Sequence, residues 1–187
     1  MASALCLLGR GERQRSIYAL THIACAAAGG AVAGLGLGAV GASLPNAART
    51  TLVVATLTLA AYLSIRPPAT GTGLHRQVAR QLERRLRPLP AYAVWGAELG
   101  SGLTTLIPYS AFLLVLAVEL LSGPILGAAA GASFGVARQG VAAVAAYRST
   151  SPAPIMALLP RLAAQARQAN LMVCFVGSTA LIAEMIR

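Results

Sequence analysis

Residues 16–44 decide the fold, and they read SIYALTHIACAAAGGAVAGLGLGAVGASL, with no Arg, Lys, Asp or Glu. An apolar run of this length is typical of a helix that crosses a bilayer with some tilt. Arg10, Arg13 and Arg15 precede the run, and Pro45 follows it. Residues 16–44 therefore predict a first transmembrane span.

Four further apolar blocks follow, separated by polar or proline-containing segments. The chain of 187 residues is 57% hydrophobic and only 11% charged, with charges concentrated between the blocks. This composition is more apolar than that of soluble domains. We therefore predict an all-α, polytopic transmembrane helix bundle that forms one domain. Its five spans are predicted at residues 16–44, 51–65, 91–122, 125–147 and 171–186.

The third block is longer than one straight span needs, and it contains residues that interrupt helices. Gly100, Gly102 and Pro108 lie inside it. Proline removes a backbone donor and clashes with the preceding turn, so Thr104, Thr105 or water would have to satisfy the freed carbonyl. The block therefore predicts a broken third helix.

The basic residues indicate how the chain is oriented. Fifteen basic residues, all arginine, oppose five acidic ones and give a formal net charge of +10. Many of them lie in residues 74–89 and 155–168, two segments that we interpret as amphipathic helices in an anionic headgroup layer. The alternative for the first segment is a solvated basic loop. Because the arginines adjoin apolar blocks, we expect the bilayer and its anionic headgroups as partners, and no nucleic acid.

With five spans, the N-terminus and both basic segments lie on one side of the membrane. The positive-inside rule makes that side cytoplasmic. Tyrosine and tryptophan residues fall near the same ends of their blocks, as in an interfacial aromatic belt. The bias toward Ala, Gly and Arg fits a bacterial genome of high GC content. We therefore expect a bacterial inner membrane protein with a cytoplasmic N-terminus.

Two blocks carry glycine at every fourth position, which gives each helix a flat face. The six positions are Gly30, Gly34 and Gly38 in the first block and Gly127, Gly131 and Gly135 in the fourth. Flat faces let helix backbones approach closely, so we expect them in helix packing, with ligand access along the face as the alternative. A membrane partner protein or a second copy could use such faces. Each ladder precedes one short span, a pattern typical of the inverted repeats of transporters.

Ionisable residues at membrane depth are candidates for function because burying them in lipid is costly. Reflecting the third and fourth blocks about Gly123 places Arg138 level with Pro108 and Tyr109. A guanidinium there can bind an anion or hold the broken helix, unless the fourth helix ends near residue 137 and leaves it close to water. Glu119 is expected to reach water at the outer end. The predicted substrate site comprises Arg138, Tyr109, Pro108, Thr104, Thr105 and Glu98.

A second set of side chains offers nitrogen and sulfur. His22 and Cys25 share a helix face, and Met172 and Cys174 lie at a comparable depth in the last block. Such groups suit a soft metal ion such as Cu(I), and the two thiols can form a redox pair if their helices touch. The alternative is that these cysteines only fill space. No other cofactor is indicated, and without a catalytic signature we do not expect an enzyme.

Residues 95–109 read WGAELGSGLTTLIPY and resemble the broken central helix of the CcdA/DsbD family of thiol-disulfide electron transporters. Residues 34–44 are similar to a helix ending in that family. The resemblance covers roughly half the chain. The family has a redox cysteine directly after the proline, where this chain has Tyr109, and the first span has no matching cysteine. The resemblance therefore implies a divergent member that uses the scaffold for transport or as an accessory subunit.

Three hypotheses of function follow from these patterns. The first is a transporter-like membrane protein with a central site at the broken helix. The second is a thiol-redox or soft-metal handling protein. The third is a non-catalytic membrane subunit that docks partner proteins through its glycine faces and basic segments.

Overall fold

The computed structural model describes residues 11–65, 86–102, 110–148 and 152–186, and the described residues form five helices. The helices are α1 (Glu12–Ser43), α2 (Asn46–Ile65), α3 (Pro88–Ser101), α4 (Phe112–Arg148) and α5 (Pro152–Ile186). The all-α prediction is confirmed for this part of the chain. Of the predicted functional residues, Thr104, Thr105, Pro108 and Tyr109 lie outside the described residues, as do positions 74–85 of the first basic segment.

Only Leu44 and Pro45 separate α1 from α2, and α1 ends there because Pro45 lacks the backbone N–H that would continue it. Leu44 has the extended conformation that a following proline favours, with φ −80° and ψ 144°. The next helix begins at once, and the Arg49 backbone N–H donates to the Pro45 carbonyl at 3.0 Å. Helix α2 therefore has 20 residues, and it begins before the predicted start at residue 51.

The predicted third span is broken. Helix α3 ends at Ser101, and Gly102 follows with φ 69°, a left-handed conformation that glycine adopts without steric cost. The next described helix begins at Phe112. The break lies in the segment where the sequence predicts it.

Helix α4 doubles back on itself at Gly123, whose φ of 75° and ψ of 177° are open essentially to glycine alone. The rings of Phe112 and Phe134 lie 4.9 Å apart, whereas a straight helix would separate them by roughly 33 Å. The Glu119 carbonyl oxygen lies 3.3 Å from where a β-carbon on Gly127 would stand. We call residues 112–122 the first arm and residues 124–148 the second arm. The turn at residues 122–124 is where the sequence predicts it.

Helix α1 lies at the centre and packs closely on two partners. On one side it runs antiparallel to the second arm, because Gly30 meets Gly131 while Gly34 meets Gly127. On the other side it runs parallel to α3, where Gly96 meets the His22 carbonyl and Gly100 that of Ala26. These directions agree with a third span made of α3 and the first arm, followed by a fourth span made of the second arm.

Helices α2 and α5 pack on α4 rather than on α1. Their contact with the first arm is an apolar cluster of Val53, Leu57, Leu114, Ala117 and Cys174. Helix α5 is continuous from Pro152, so the predicted segment 155–168 and the predicted last span belong to one helix.

Three helices of the described part are long and apolar enough to cross a membrane. They are Glu12–Ser43, Asn46–Ile65 and Phe112–Val141, whose most apolar 18-residue stretches have mean hydropathies of 1.9, 1.4 and 2.1. The last of these ranges includes the turn at Gly123 and so comprises the first arm and most of the second arm. Large apolar side chains also cover the outside of the bundle, including Ile125 (83% exposed) and Phe175 (77% exposed). A helical bundle with such a surface fits a membrane location. The count of five spans stays a prediction.

Candidate functional site

The broken end of α3 is held by an arginine from the second arm. Arg138 Nη1 donates a hydrogen bond of 2.6 Å to the Leu99 carbonyl, and its guanidinium lies 5.9 Å from the centroid of the Phe134 ring. The last carbonyls of a helix have no intrahelical donor and carry partial negative charge, so a cation there is stabilising. Helix α4 continues to Arg148, so the alternative in which the helix ends near residue 137 is wrong.

The last turn of α3 lies against the middle of α1. A β-carbon on Gly30 would stand 3.2 Å from the Gly100 carbonyl oxygen, as well as against the Gly131 backbone. Ser101 Oγ donates to the Glu98 carbonyl at 2.9 Å, and the Glu98 side chain is half-buried. The break therefore lies where α1, α3 and the second arm meet.

His22 joins the same three elements one level nearer the start of α1. Its Nδ1–H donates to the Tyr92 carbonyl at 3.1 Å, and Nε2 lies 3.0 Å from Gln139 Oε1. When the imidazole is neutral and Nδ1 carries the proton, Nε2 accepts a hydrogen bond. The Gln139 side-chain amide donates that bond from its NH₂ group when the amide is turned by 180°. Both ring nitrogens of this buried histidine thus have protein partners.

Two aromatic residues of the predicted belt face the inside of the bundle. Tyr92 is fully buried and stacks on Tyr18, with centroids 5.1 Å apart, while Trp95 is buried edge-on to it at 5.7 Å. The prediction of an interfacial belt is therefore wrong for Tyr92 and Trp95. The stack of Tyr18 on Tyr92 joins α1 to α3, whereas the contact of Tyr92 with Trp95 lies within α3.

The two described cysteines lie on different interfaces. The Cys25 β-carbon lies 3.1 Å from where a β-carbon on Gly96 would stand, between α1 and α3. Cys174 Sγ lies 3.5 Å from Ser110 Oγ, in the cluster that joins α5 to α2 and α4. Both are free thiols, and Met172 is exposed. Within the described ranges, no group of three or more His, Cys, Asp or Glu side chains could hold a metal ion.

A polar contact at the other side of the break was not found from the sequence. Asn170 Oδ1 accepts the Ala111 backbone N–H at 2.8 Å, and Asn170 Nδ2 donates to Ser110 Oγ at 3.1 Å. Ser110 Oγ also lies 2.7 Å from Ser64 Oγ. These contacts tie the start of α4 to α2 and α5. Asn170 carries no charge and stands just before the last apolar block, so the sequence pattern gave no signal for it.

Glu119 is buried rather than open to water. Its side chain is 3% exposed, and Oε1 lies 3.1 Å and 2.9 Å from where β-carbons on Gly34 and Gly131 would stand. The prediction that it reaches water at the outer end is therefore wrong. The physical reason is the glycine contact between α1 and α4, because the missing side chains leave room that the carboxyl group fills.

No family model, no curated protein and no solved structure matches this chain. Fold and geometry define its class: an all-α bundle with apolar helices of membrane-spanning length and an interrupted helix capped by an arginine.

Proposed function

We propose that this chain is an integral membrane protein of transporter-like type, with its central site at the break between α3 and α4. The observation that carries the proposal is the end of α3 at left-handed Gly102, with Arg138 bound to the Leu99 carbonyl. Irregular backbone at membrane depth is tolerated only where it is buried in protein or lines a water-filled cavity. A charged side chain at such a break marks a polar site.

The depth of the break supports a transport role. Gly100 packs on Ala26 and Gly30 approaches the Gly100 carbonyl, so α3 ends level with the middle of α1 (Glu12–Ser43). Discontinuous helices that meet near the midplane of the bilayer are typical of secondary transporters. The solute would be polar, because an apolar one needs no such site to cross hydrocarbon.

Within this proposal, Arg138 positions the end of α3. The proposed site is completed by residues that come shortly after Gly102 in the chain, namely Thr104, Thr105, Pro108 and Tyr109. Glu98 belongs to the last turn of α3 before Gly102. We place the protein in a bacterial inner membrane, with its arginine-rich segments in the cytoplasm, because of the positive-inside rule.

The test is the accessibility of the break to water. Ser101, half-buried at the end of α3, is replaced by cysteine in a chain whose own cysteines are changed to alanine. Ala28 lies at a similar level on the outer face of α1, so Ala28→Cys is the matched control. Both variants are reconstituted in vesicles and treated with a charged, membrane-impermeant methanethiosulfonate reagent.

A transport site predicts much faster labelling of Ser101→Cys than of Ala28→Cys, because hydrocarbon excludes the charged reagent from the outer face. Equal and slow labelling of both variants would contradict the proposal. That result would instead favour a closed bundle that acts as a non-catalytic subunit.

A further inference from the structure

The contact between α1 and α4 encloses an acidic side chain in addition to packed backbone. The exposed fraction of Glu119 is 3%, so the residue is 97% buried. Its Oε1 atom lies against both Gly34 of α1 and Gly131 of the second arm. The structure gives this carboxyl group no hydrogen bond and no ion pair with another described residue. The glycines supply only backbone, whose N–H groups are engaged inside their own helices.

This arrangement limits the charge that Glu119 can carry in the packed bundle. Isolating a carboxylate from water without a partner is far more costly than isolating a neutral carboxylic acid. The carboxyl group lies level with Gly34 of α1, well inside the apolar helix. The closed contact between the glycine faces therefore favours Glu119 as the neutral, protonated carboxylic acid over the carboxylate.

We propose that Glu119 is a proton-binding site inside the membrane, and that its proton is required for α1 and α4 to close on one another. Loss of the proton would place a bare carboxylate between the two glycine faces and favour their separation. Proton binding is thereby coupled to helix packing. The inference goes beyond the solute site at the helix break and does not rest on it.

A proton fits this site better than a metal cation does. Hard cations take about six to eight oxygen ligands, whereas the described surroundings of Glu119 offer one carboxyl group and backbone carbonyls already used in helices. A proton needs a single oxygen. The small space left by Gly34 and Gly131 also suits the smallest ligand.

The other ionisable groups on the surrounding helices are engaged elsewhere. On α1, His22 contacts Tyr92 and Gln139, and on the second arm Arg138 donates to Leu99. Arg138 stands seven positions after Gly131, about 10 Å along the helix. Glu12, Arg13, Arg15 and Tyr18 belong to the start of α1, and Tyr147 and Arg148 to the end of the second arm, all far along their helices from Gly34 and Gly131. The structure gives Cys25 on α1 and Tyr92 and Glu98 on α3 no contact with Glu119.

The test is infrared spectroscopy of the whole protein in lipid nanodiscs at neutral pH. A protonated carboxyl group absorbs as a C=O stretch separate from the carboxylate bands, and the band shifts in heavy water. We expect the wild type to show this band and Glu119→Gln to lose it. Glu12→Gln is the matched control, because Glu12 is exposed at the start of α1 and should leave the band unchanged.

A second variant keeps the test decisive if Glu119→Gln fails to fold. The chain has five acidic residues, so a variant with the other four changed to glutamine should retain the band. Absence of the band from folded wild type, or its persistence in folded Glu119→Gln, would overturn the proposal. Loss of the band when sodium replaces choline at constant pH would also overturn it, because the ligand would then be a metal cation.

Discussion

Gly34 of α1 and Gly127 of the second arm face each other so closely that a β-carbon on either would stand against the carbonyl oxygen of the other. The same holds for Gly30 and Gly131, one turn along. Two glycine ladders that are far apart in the chain thus form a single antiparallel contact. Backbone packing of this kind associates helices in lipid, where the hydrophobic effect does not act between them.

Filling this contact should destabilise the bundle. In Gly30→Val the added β-carbon would collide with the Gly131 carbonyl, which cannot move without its helix. We expect a loss of at least about 2 kcal/mol, at the upper part of the range for overpacking. Thermal unfolding in detergent measures it. Gly36→Val is the matched control on the same helix, because a β-carbon there meets nothing within 4 Å; equal losses in both variants would refute the contact.

Arg138 should matter through the Leu99 carbonyl that it caps. Arg138→Met removes a hydrogen bond from a charged donor, which typically contributes about 1.5–3 kcal/mol, and Arg138→Lys should restore part of it. The readout is thermal stability in nanodiscs. Arg167→Met is the control, since Arg167 is exposed on α5. If Arg138→Met leaves the thermal stability unchanged, the end of α3 does not depend on this bond.

His22 and Gln139 should be energetically coupled. Their side chains meet at 3.0 Å across 117 positions of the chain. Residues within one hydrogen-bond network show interaction energies of about 0.5–3 kcal/mol in double-mutant cycles. The cycle uses His22→Leu, Gln139→Leu and the pair, followed by chemical unfolding. The control pairs His22→Leu with Thr58→Val on the exposed side of α2, where additive effects are expected; additivity in both cycles would rule the contact out.

Cys25 and Cys174 should not cross-link under mild oxidation, because they lie on different interfaces. A matched positive control is available in the same chain. Ser110 Oγ lies 3.5 Å from Cys174 Sγ, so Ser110→Cys should form a disulfide with Cys174. Mass spectrometry of non-reduced peptides distinguishes a Cys25–Cys174 disulfide from the disulfide that Cys174 forms in the Ser110→Cys variant. A Cys25–Cys174 disulfide would support the redox hypothesis and contradict the packing.

Features that depend on local sequence could be predicted. The apolar blocks, the turn at Gly123 and the break after Gly102 follow from residue types that directly restrict the backbone. The glycine ladders indicated flat faces. Their antiparallel register did not follow, because it depends on residues about 100 positions apart.

The interior of the bundle was harder to predict for a physical reason. In a membrane protein both the lipid-facing side and the packed side of a helix are apolar, so the hydrophobic pattern does not tell which side is buried. Which side of each helix is buried decides three features that the structure shows: the burial of Glu119, the inward placement of Tyr92 and the contact of Asn170 with Ala111. The sequence instead predicted that Glu119 reaches water and that Tyr92 lies in an interfacial belt, and it gave no signal for Asn170.

We propose that α3 stops at a polar break inside an apolar bundle. Its most direct test is electron paramagnetic resonance of a spin label at Ser101, compared with one at Ala28, in nanodiscs. We expect a water-soluble nickel chelate to relax the label at Ser101 more than molecular oxygen does, and oxygen to relax the label at Ala28 more than the chelate does. Dominance of oxygen at both positions would contradict it, because the end of α3 would then lie in a dry, apolar environment.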